Sequence, residues 1–322
     1  MCSERVRDVY VASCVETGGI YHYKMVNGSV YLADIVKMDR PMYMVIDNHK
    51  MYVVLRAPFE NGESGVVVYD IDEDGRLINP SKIVSTKGEV ACHIAVHRGK
   101  VYCANYTSGS VIRLPDKVAQ HEGTGIHPTR QEGPHVHYVG PTPDGQYLCA
   151  TDLGLDTIFL YDLDLVLHSC IKVPDGHGVR HLAFSEDGNY LFAANELGST
   201  VAAFSYDNGR LEYQGLCSCL PQNYQGESTA SAIRVKDGLI YVSNRGHDSI
   251  AVLEFKNNKL NLLNHIDCGG RTPRDFDFIG DYLFSTNQDS NGVAVLDVKN
   301  GFALWQNLEV EEPICVCSNM TE

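Results

Sequence analysis

Basic residues are scarce in this 322-residue chain: 26 Lys and Arg stand against 41 Asp and Glu, leaving a net charge of −15. Nucleic acid is held by a basic stripe, and none is present, so it is excluded as a partner. An anionic membrane surface is excluded on the same ground. Long apolar runs are missing too, and no stretch approaches the roughly eighteen residues of a membrane-spanning helix. The N-terminal MCSERVRDVYVASC lacks the apolar core of a signal peptide, so a cytoplasmic location is expected. No segment longer than about ten residues shows helical periodicity with capping signals. Cys-x-x-Cys, His-Glu-x-x-His, Walker and dinucleotide motifs are absent, and neither a metal nor a cofactor is expected. The eleven cysteines are scattered through strand-like segments, and the pairs Cys217/Cys219 and Cys315/Cys317 read as small packed residues.

What is present is a repeat. HIAVHRGKVYCANYTSGSVIRLPD from His93 is echoed by HVHYVGPTPDGQYLCATDLGLDTIFLYDLD from His135 and RHLAFSEDGNYLFAANELGSTVAAFSYD from Arg180. AIRVKDGLIYVSNRGHDSIAVLEF from Ala232 and RDFDFIGDYLFSTNQDSNGVAVLDV from Arg274 follow, with a degraded copy from Met42. Each unit reads as an alternating strand, a Gly or Asp turn, a strand ending in Asn or Asp, a second turn and a third strand. The strand ends Asn105, Asp152, Asn195, Asn244 and Asn287 lie 47, 43, 49 and 43 residues apart. A four-stranded blade occupies about 40–50 residues, so the spacing predicts an all-β, seven-bladed β-propeller in a single domain, 1–322. Six units have a recognisable inner strand. The seventh is assembled from both ends, VYVASC, GGIYHYKM and GSVYLAD with PICVCSN, so that N- and C-terminal strands close the ring in one blade and leave no free sheet edge.

In such a blade the start of the first strand and the end of the second meet at one rim. First-strand starts carry His135, His137, Arg180 and Arg274, and second-strand ends carry Tyr106, Glu196, Arg245 and Gln288. Arg180 and Glu196, sixteen residues apart in sequence, are expected side by side. Structural pairing remains an alternative for the arginines and for Glu196, since buried guanidinium and carboxylate groups commonly have partners. Period two puts His135 and His137 on one strand face, whereas His181 reads as core or inter-blade packing. The recurring asparagines read as turn-forming side chains, and His247 as part of a turn. Two long connections break the rhythm. Residues 114–134 contain His121, His127, Arg130 and Gln131, and residues 217–231 precede the Ala232 unit; either could cover the channel mouth and select the substrate.

PHVH, VRHLAFSEDGNYLFAANELGST, YVSNRGHDSIAVLEF and TPRDF together resemble the seven-bladed propeller lactonase family, which includes propeller-type 6-phosphogluconolactonases and the fungal carboxy-muconate lactonising enzymes. The likeness spans nearly the whole chain, is strongest from about 100 to 298 and weakens over the first 90 residues. It implies a histidine, a glutamate and several arginines at one end of the channel. These fall on His135 or His137, Glu196, Arg180, Arg245 and Arg274. Ala232-Ile233-Arg234 departs from the acidic-Ile-His pattern of many relatives and removes a channel carboxylate. The resemblance implies a lactone hydrolase of the 6-phosphogluconolactonase type, in carbohydrate metabolism and the pentose phosphate pathway. His135, His137, Glu196, Arg180 and Arg274 would be catalytic, and Arg245, Arg130, Gln288 and Tyr106 would bind substrate. The expected partner is a small anionic lactone, with the protein a monomer. A cycloisomerase of carboxylated muconate-type substrates and a non-catalytic anion- or protein-binding propeller are the alternatives.

Overall fold

The computed structural model describes residues 6–319. Strands dominate, and among the described residues the helical content is one 3-10 turn, Gln288–Ser290. No helix among them is long and apolar enough to cross a membrane. Seven antiparallel sheets are present, six of four strands and one, beginning at Pro41, of five. The N-terminal sheet takes its first strand from the C-terminal Pro313–Asn319, which pairs with Val6–Ser13 and is followed by Gly19–Val26 and Ser29–Lys37. The other six sheets open with the first- and second-strand pairs Pro41–Asp47 and Lys50–Leu55, Ala91–His97 and Lys100–Asn105, and Val136–Pro141 and Tyr147–Asp152. Val179–Phe184 and Tyr190–Asn195, Thr229–Lys236 and Leu239–Arg245, and Pro273–Ile279 and Tyr282–Asn287 complete the series.

The sheets gather into two compact units. Thr86–Asp267 holds the four that begin at Ala91, Val136, Val179 and Thr229, and the remaining residues hold the other three. The local causes are ordinary strand chemistry. Alternating apolar residues bury one face of each strand. Asp237-Gly238, with φ of 51° and 73°, closes the two-residue hairpin between Lys236 and Leu239, a turn that needs positive φ at both positions. Within each sheet the outgrowth differs from the sequence reading at two places. A fourth strand, Lys117–Gln120, forms inside the first long connection, and the strand Arg210–Ser218 runs into the second, leaving loops at 121–135 and 219–228.

One register feature positions everything that follows. Near the start of every first strand the pairing slips by one residue. Val179 faces Asn195, for example, but His181 already faces Ala194, so Arg180 is the extra residue of a β-bulge. His137 and Arg274 hold the same place in their own sheets. A bulge turns a side chain out of the ladder and is a recurrent device beside functional sites. The residue just after each second strand is the complementary position, filled by Tyr106, Glu196 and Gln288, with Arg245 in the matching register.

The recurring asparagines are structural, as their regular spacing implied. Asn105 Nδ2 donates to Thr86 O and Ser110 Oγ, at 3.0 and 3.1 Å. Asn244 Nδ2 donates likewise to Cys219 O and Ser249 Oγ, at 3.0 and 3.3 Å. Each ties the end of a second strand to the start of the third and to the segment before its own sheet. His247 lies in the turn between Arg245 and Ser249, with its Nδ1 2.6 Å from Ser249 Oγ.

The core lies between neighbouring sheets. Phe204, Leu191, Leu160 and Ile158 pack in one such layer, and Val9, Phe284, Val295 and Val316 in another. Each buried large apolar side chain contributes about 1.5–3 kcal/mol by leaving water. Phe204→Ala is therefore expected to cost about 3–5 kcal/mol in urea-unfolding free energy. Leu263→Ala, at a position 51% exposed, should cost less than about 1 kcal/mol in the same titration.

Candidate active site

Glu196 follows the strand Tyr190–Asn195, and its carboxylate is buried, with 5% side-chain exposure. Three guanidinium groups converge on it. Arg130 Nη2 donates a hydrogen bond to Oε1 at 2.6 Å. Arg180 Nε and Arg245 Nη2 each stand 3.0 Å from Oε2. These two contacts are close charge pairs that lack the alignment of a hydrogen bond. Arg180 comes from the bulge of the same sheet and Arg245 from the second strand of the next sheet. Arg130 arrives on the loop 121–135. The side-by-side placement of Arg180 and Glu196 expected from sequence is present.

Burial alone would push the Glu196 carboxyl up. Arg245, Arg180, His137 and Arg130 outweigh it and hold the group well below the usual carboxylate range, so it stays ionised. The cluster therefore carries three fixed positive charges against one negative, an excess of two. For Arg130, burial works against the cation, but the contacts with Glu196 and Tyr106 prevail and raise its pKa.

Tyr106 links this cluster to the histidines. Its hydroxyl accepts a hydrogen bond from Arg130 Nη2 at 3.3 Å. The His135 ring stacks flat on it, 4.5 Å between centroids and 11° between planes, while His137 meets it edge-on at 5.5 Å. The expectation that both histidines share one strand face needs correction. The strand begins at Val136 and bulges at once, so period two does not carry through this pair. His135 Nδ1 lies 3.2 Å from Tyr106 O. A carbonyl oxygen only accepts, so Nδ1 carries the hydrogen and the neutral ring keeps its lone pair on Nε2. Nε2 is 3.7 Å from Glu132 Oε1.

His137 is buried, with Nδ1 3.7 Å from Cys92 Sγ. Its ring meets that of His181 at 5.3 Å, and His181 in turn packs on His93 at 5.3 Å and Tyr138 at 5.8 Å. His181 is thus inter-blade packing, as read from sequence. Burial, joined by the Arg234 and Arg180 cations, lowers the His93 pKa to about 3. His181 is lowered too, by burial first and then by Arg180, His93, His137 and Arg234. Both are neutral imidazoles at ordinary pH. Arg234, which stands where the acidic-Ile-His pattern has its histidine, adds a further cation to this layer.

Seven of the nine residues singled out from sequence, Tyr106, Arg130, His135, His137, Arg180, Glu196 and Arg245, meet in the Thr86–Asp267 unit. Arg274 and Gln288 belong to the other unit, where Arg274 Nη1 donates to Gln288 Oε1 at 3.3 Å. His93 and Cys92 escaped the sequence reading as members of this surrounding, and Gln131 figures in it only as part of the long connection. The bulge that aims their neighbours has no sequence signal of its own.

The family profile described as Lactonase, 7-bladed beta-propeller, matches residues 8–318. The chain belongs to the seven-bladed β-propeller lactonase family. Its seven sheets are the blades of that propeller. An uncharacterized protein of Staphylococcus aureus (strain USA300) is 30% identical over 330 residues, covering 92% of this chain and 95% of that protein. The periplasmic gluconolactonase of Pseudomonas aeruginosa is 25% identical with a TM-score of 0.88, covering 99% of this chain and 100% of that one. A Bacteroides uniformis protein described as a candidate 6-phosphogluconolactonase is 25% identical with a TM-score of 0.88, covering 98% of this chain and 99% of that one. Family membership and these relatives support a lactone hydrolase acting on a small-molecule lactone.

Among the described residues no group of three or more His, Cys, Asp or Glu is arranged to hold a metal ion, and none of the ten cysteines there is in a disulfide. The carboxylate within the arginine cluster gives a stability test. Its pKa is lowered on folding, so it stabilises the fold above the unfolded value, near 4.3, and that contribution is lost as pH falls through the folded value. Glu196→Gln should flatten the fall of stability between about pH 5 and pH 2. It should also destabilise the protein by several kcal/mol at neutral pH, because three guanidinium groups lose their counter-charge. Urea titrations across pH read both effects.

Proposed function

We propose that this lactonase hydrolyses an anionic sugar lactone, with 6-phosphogluconolactone as the favoured substrate. The observation that carries the reading is the buried Glu196 ringed by three guanidinium groups, one of which also bonds the Tyr106 hydroxyl on whose ring His135 stacks. The net excess of positive charge provides for a carboxylate, a phosphate or a developing oxyanion, each of which accepts paired N–H donors from arginine.

In the proposed reaction His135 Nε2 takes a proton from water, and the resulting hydroxide adds to the lactone carbonyl carbon. Guanidinium N–H groups of Arg180 and Arg245 receive the negative charge on the carbonyl oxygen. The ring C–O bond then breaks, and the imidazolium returns its proton to the departing alkoxide, giving the hydroxy acid. Tyr106 O fixes the tautomer, and the Glu132 carboxylate, 3.7 Å from Nε2, stabilises the imidazolium while it exists. Glu196 stays ionised throughout and holds the arginines in place. Arg130 and Tyr106 bind substrate. Preference for the phosphorylated lactone would assign the protein to carbohydrate metabolism, at the lactone step of the pentose phosphate pathway. The reading includes a single-domain, cytoplasmic monomer that uses neither metal nor cofactor.

A pH-stat comparison of 6-phosphogluconolactone with unphosphorylated gluconolactone tests the reading. The expected result is turnover of both with a higher kcat/KM for the phosphorylated form. Arg180→Ala should lower kcat/KM by about 10²-fold or more, and His135→Asn should lower kcat by about 10²–10⁴-fold, with unchanged circular dichroism. Binding of 6-phosphogluconate without turnover of either lactone would leave only an anion-binding propeller.

A further inference from the structure

The connection that carries Arg130 is an addition to the blade plan. Fifteen residues, 121–135, separate strand Lys117–Gln120 from strand Val136–Pro141, whereas six, 173–178, and five, 268–272, make the corresponding links after Lys172 and Asp267. A long link free of secondary structure has to be held by side chains if it is to present a group accurately. This one is pinned at three points.

Asp152, fully buried at the end of its strand, holds both ends of the loop. Its Oδ2 lies 2.6 Å from His121 Nδ1, and its Oδ1 accepts the backbone N–H of His135 at 2.8 Å. His121 Nε2 is in turn 2.7 Å from Tyr161 Oη. The third point is Gln131, only 1% exposed. Its Oε1 accepts the backbone N–H groups of Ile126 and His127 at 3.1 and 3.0 Å, and its Nε2 donates to Leu153 O at 2.9 Å. Its backbone closes the same turn, accepting from Gly125 N at 2.9 Å and donating to His127 O at 3.1 Å. Leu153 occupies in its own sheet the place that Glu196 occupies in the next. One amide side chain thus uses its oxygen and its nitrogen to lock the loop onto the rim. The next residue back in the chain is Arg130, whose side chain is 37% exposed, against 3% for Arg180 and 15% for Arg245.

We propose that Gln131 is a positioning residue that turns the loop 121–135 into a fixed arm, presenting Arg130 to the anionic group of the substrate. The inference rests on the reading of this site as one for an anionic lactone, and it adds where preference for the anionic form arises. Arg180 and Arg245 come from the blade framework, whereas Arg130 is supplied by the inserted arm and is the guanidinium most open to solvent. The arm acts on binding: contact with a group remote from the lactone carbonyl strengthens ground and transition states alike, so its loss raises KM and spares kcat.

The test uses the full chain with Arg130→Ala, Gln131→Ala and the double variant. Kinetics are measured with 6-phosphogluconolactone and gluconolactone, and 6-phosphogluconate binding is measured by calorimetry. Each single variant should raise KM for the phosphorylated lactone and weaken 6-phosphogluconate binding by about tenfold, the size of one charge-assisted contact. For each variant the rise in KM should be larger for the phosphorylated lactone than for the uncharged one. The double variant should be no worse than Arg130→Ala, because both changes remove one contact. Additive losses, equal losses on both lactones, or unchanged 6-phosphogluconate affinity in Gln131→Ala would overturn the proposal, as would a wild-type protein that does not bind 6-phosphogluconate. Should Gln131→Ala fail to fold, Gln131→Glu takes its place with the same criteria, since it keeps the acceptor oxygen and loses the donor to Leu153 O. If the wild type binds 6-phosphogluconate but turns over neither lactone, the hydrolase reading fails while the calorimetric series still decides the arm.

Discussion

The site depends on one buried carboxylate holding three guanidinium groups that would otherwise repel one another. Glu196 takes Arg130 on one oxygen and Arg180 and Arg245 on the other. The three arrive by unrelated routes: a bulge in the same sheet, the neighbouring sheet, and an inserted loop. Removing water from one carboxylate is costly, and the surrounding cations more than offset the cost because there are three of them. The consequence is a rigid positive surface in an acidic protein, built without leaving any one cation to bear the whole desolvation cost.

The histidines show how the same framework separates roles. His93, His137 and His181 are all buried, and the packing of rings on rings around them leaves structural work for His93 and His181. His135 stands outside the strand, stacked on Tyr106, with one nitrogen committed to a carbonyl and the other available. The difference between His135 and His137 is therefore one of location relative to a strand start. The one-residue slip of register at His137 sets the two imidazoles in different surroundings.

That same single-residue shift explains what was legible beforehand. The spacing of Asn105, Asp152, Asn195, Asn244 and Asn287 exposes the blades, because each closes a strand end by hydrogen bonds that any blade needs. Once the blades are counted, Arg180 and Glu196 must come together, since antiparallel neighbours share a rim. Bulges leave no such trace. They arise where the sheets twist and where a side chain is turned outward, and they broke the period-two argument for His135 and His137. Gln131 was visible only as a polar residue in a long loop. Its importance lies in three simultaneous hydrogen bonds, which exist only once Ile126, His127 and Leu153 are in place.

The contrast between a net charge of −15 and a site with two excess positive charges looks unfavourable for capturing an anion. Screening resolves it. At physiological ionic strength charges farther apart than about 8 Å scarcely interact through solvent. The acidic outer surface thus contributes solubility and little repulsion at the site, where burial makes the nearby guanidinium groups count for more. Selectivity then rests on contact geometry, down to which N–H groups reach the ligand, and less on the long-range field. A fold that has to solve this problem gains from placing its cations by hydrogen bonds, as Asp152 and Gln131 do for the loop of Arg130, since a cation displaced by a few ångströms would be screened like any other surface charge.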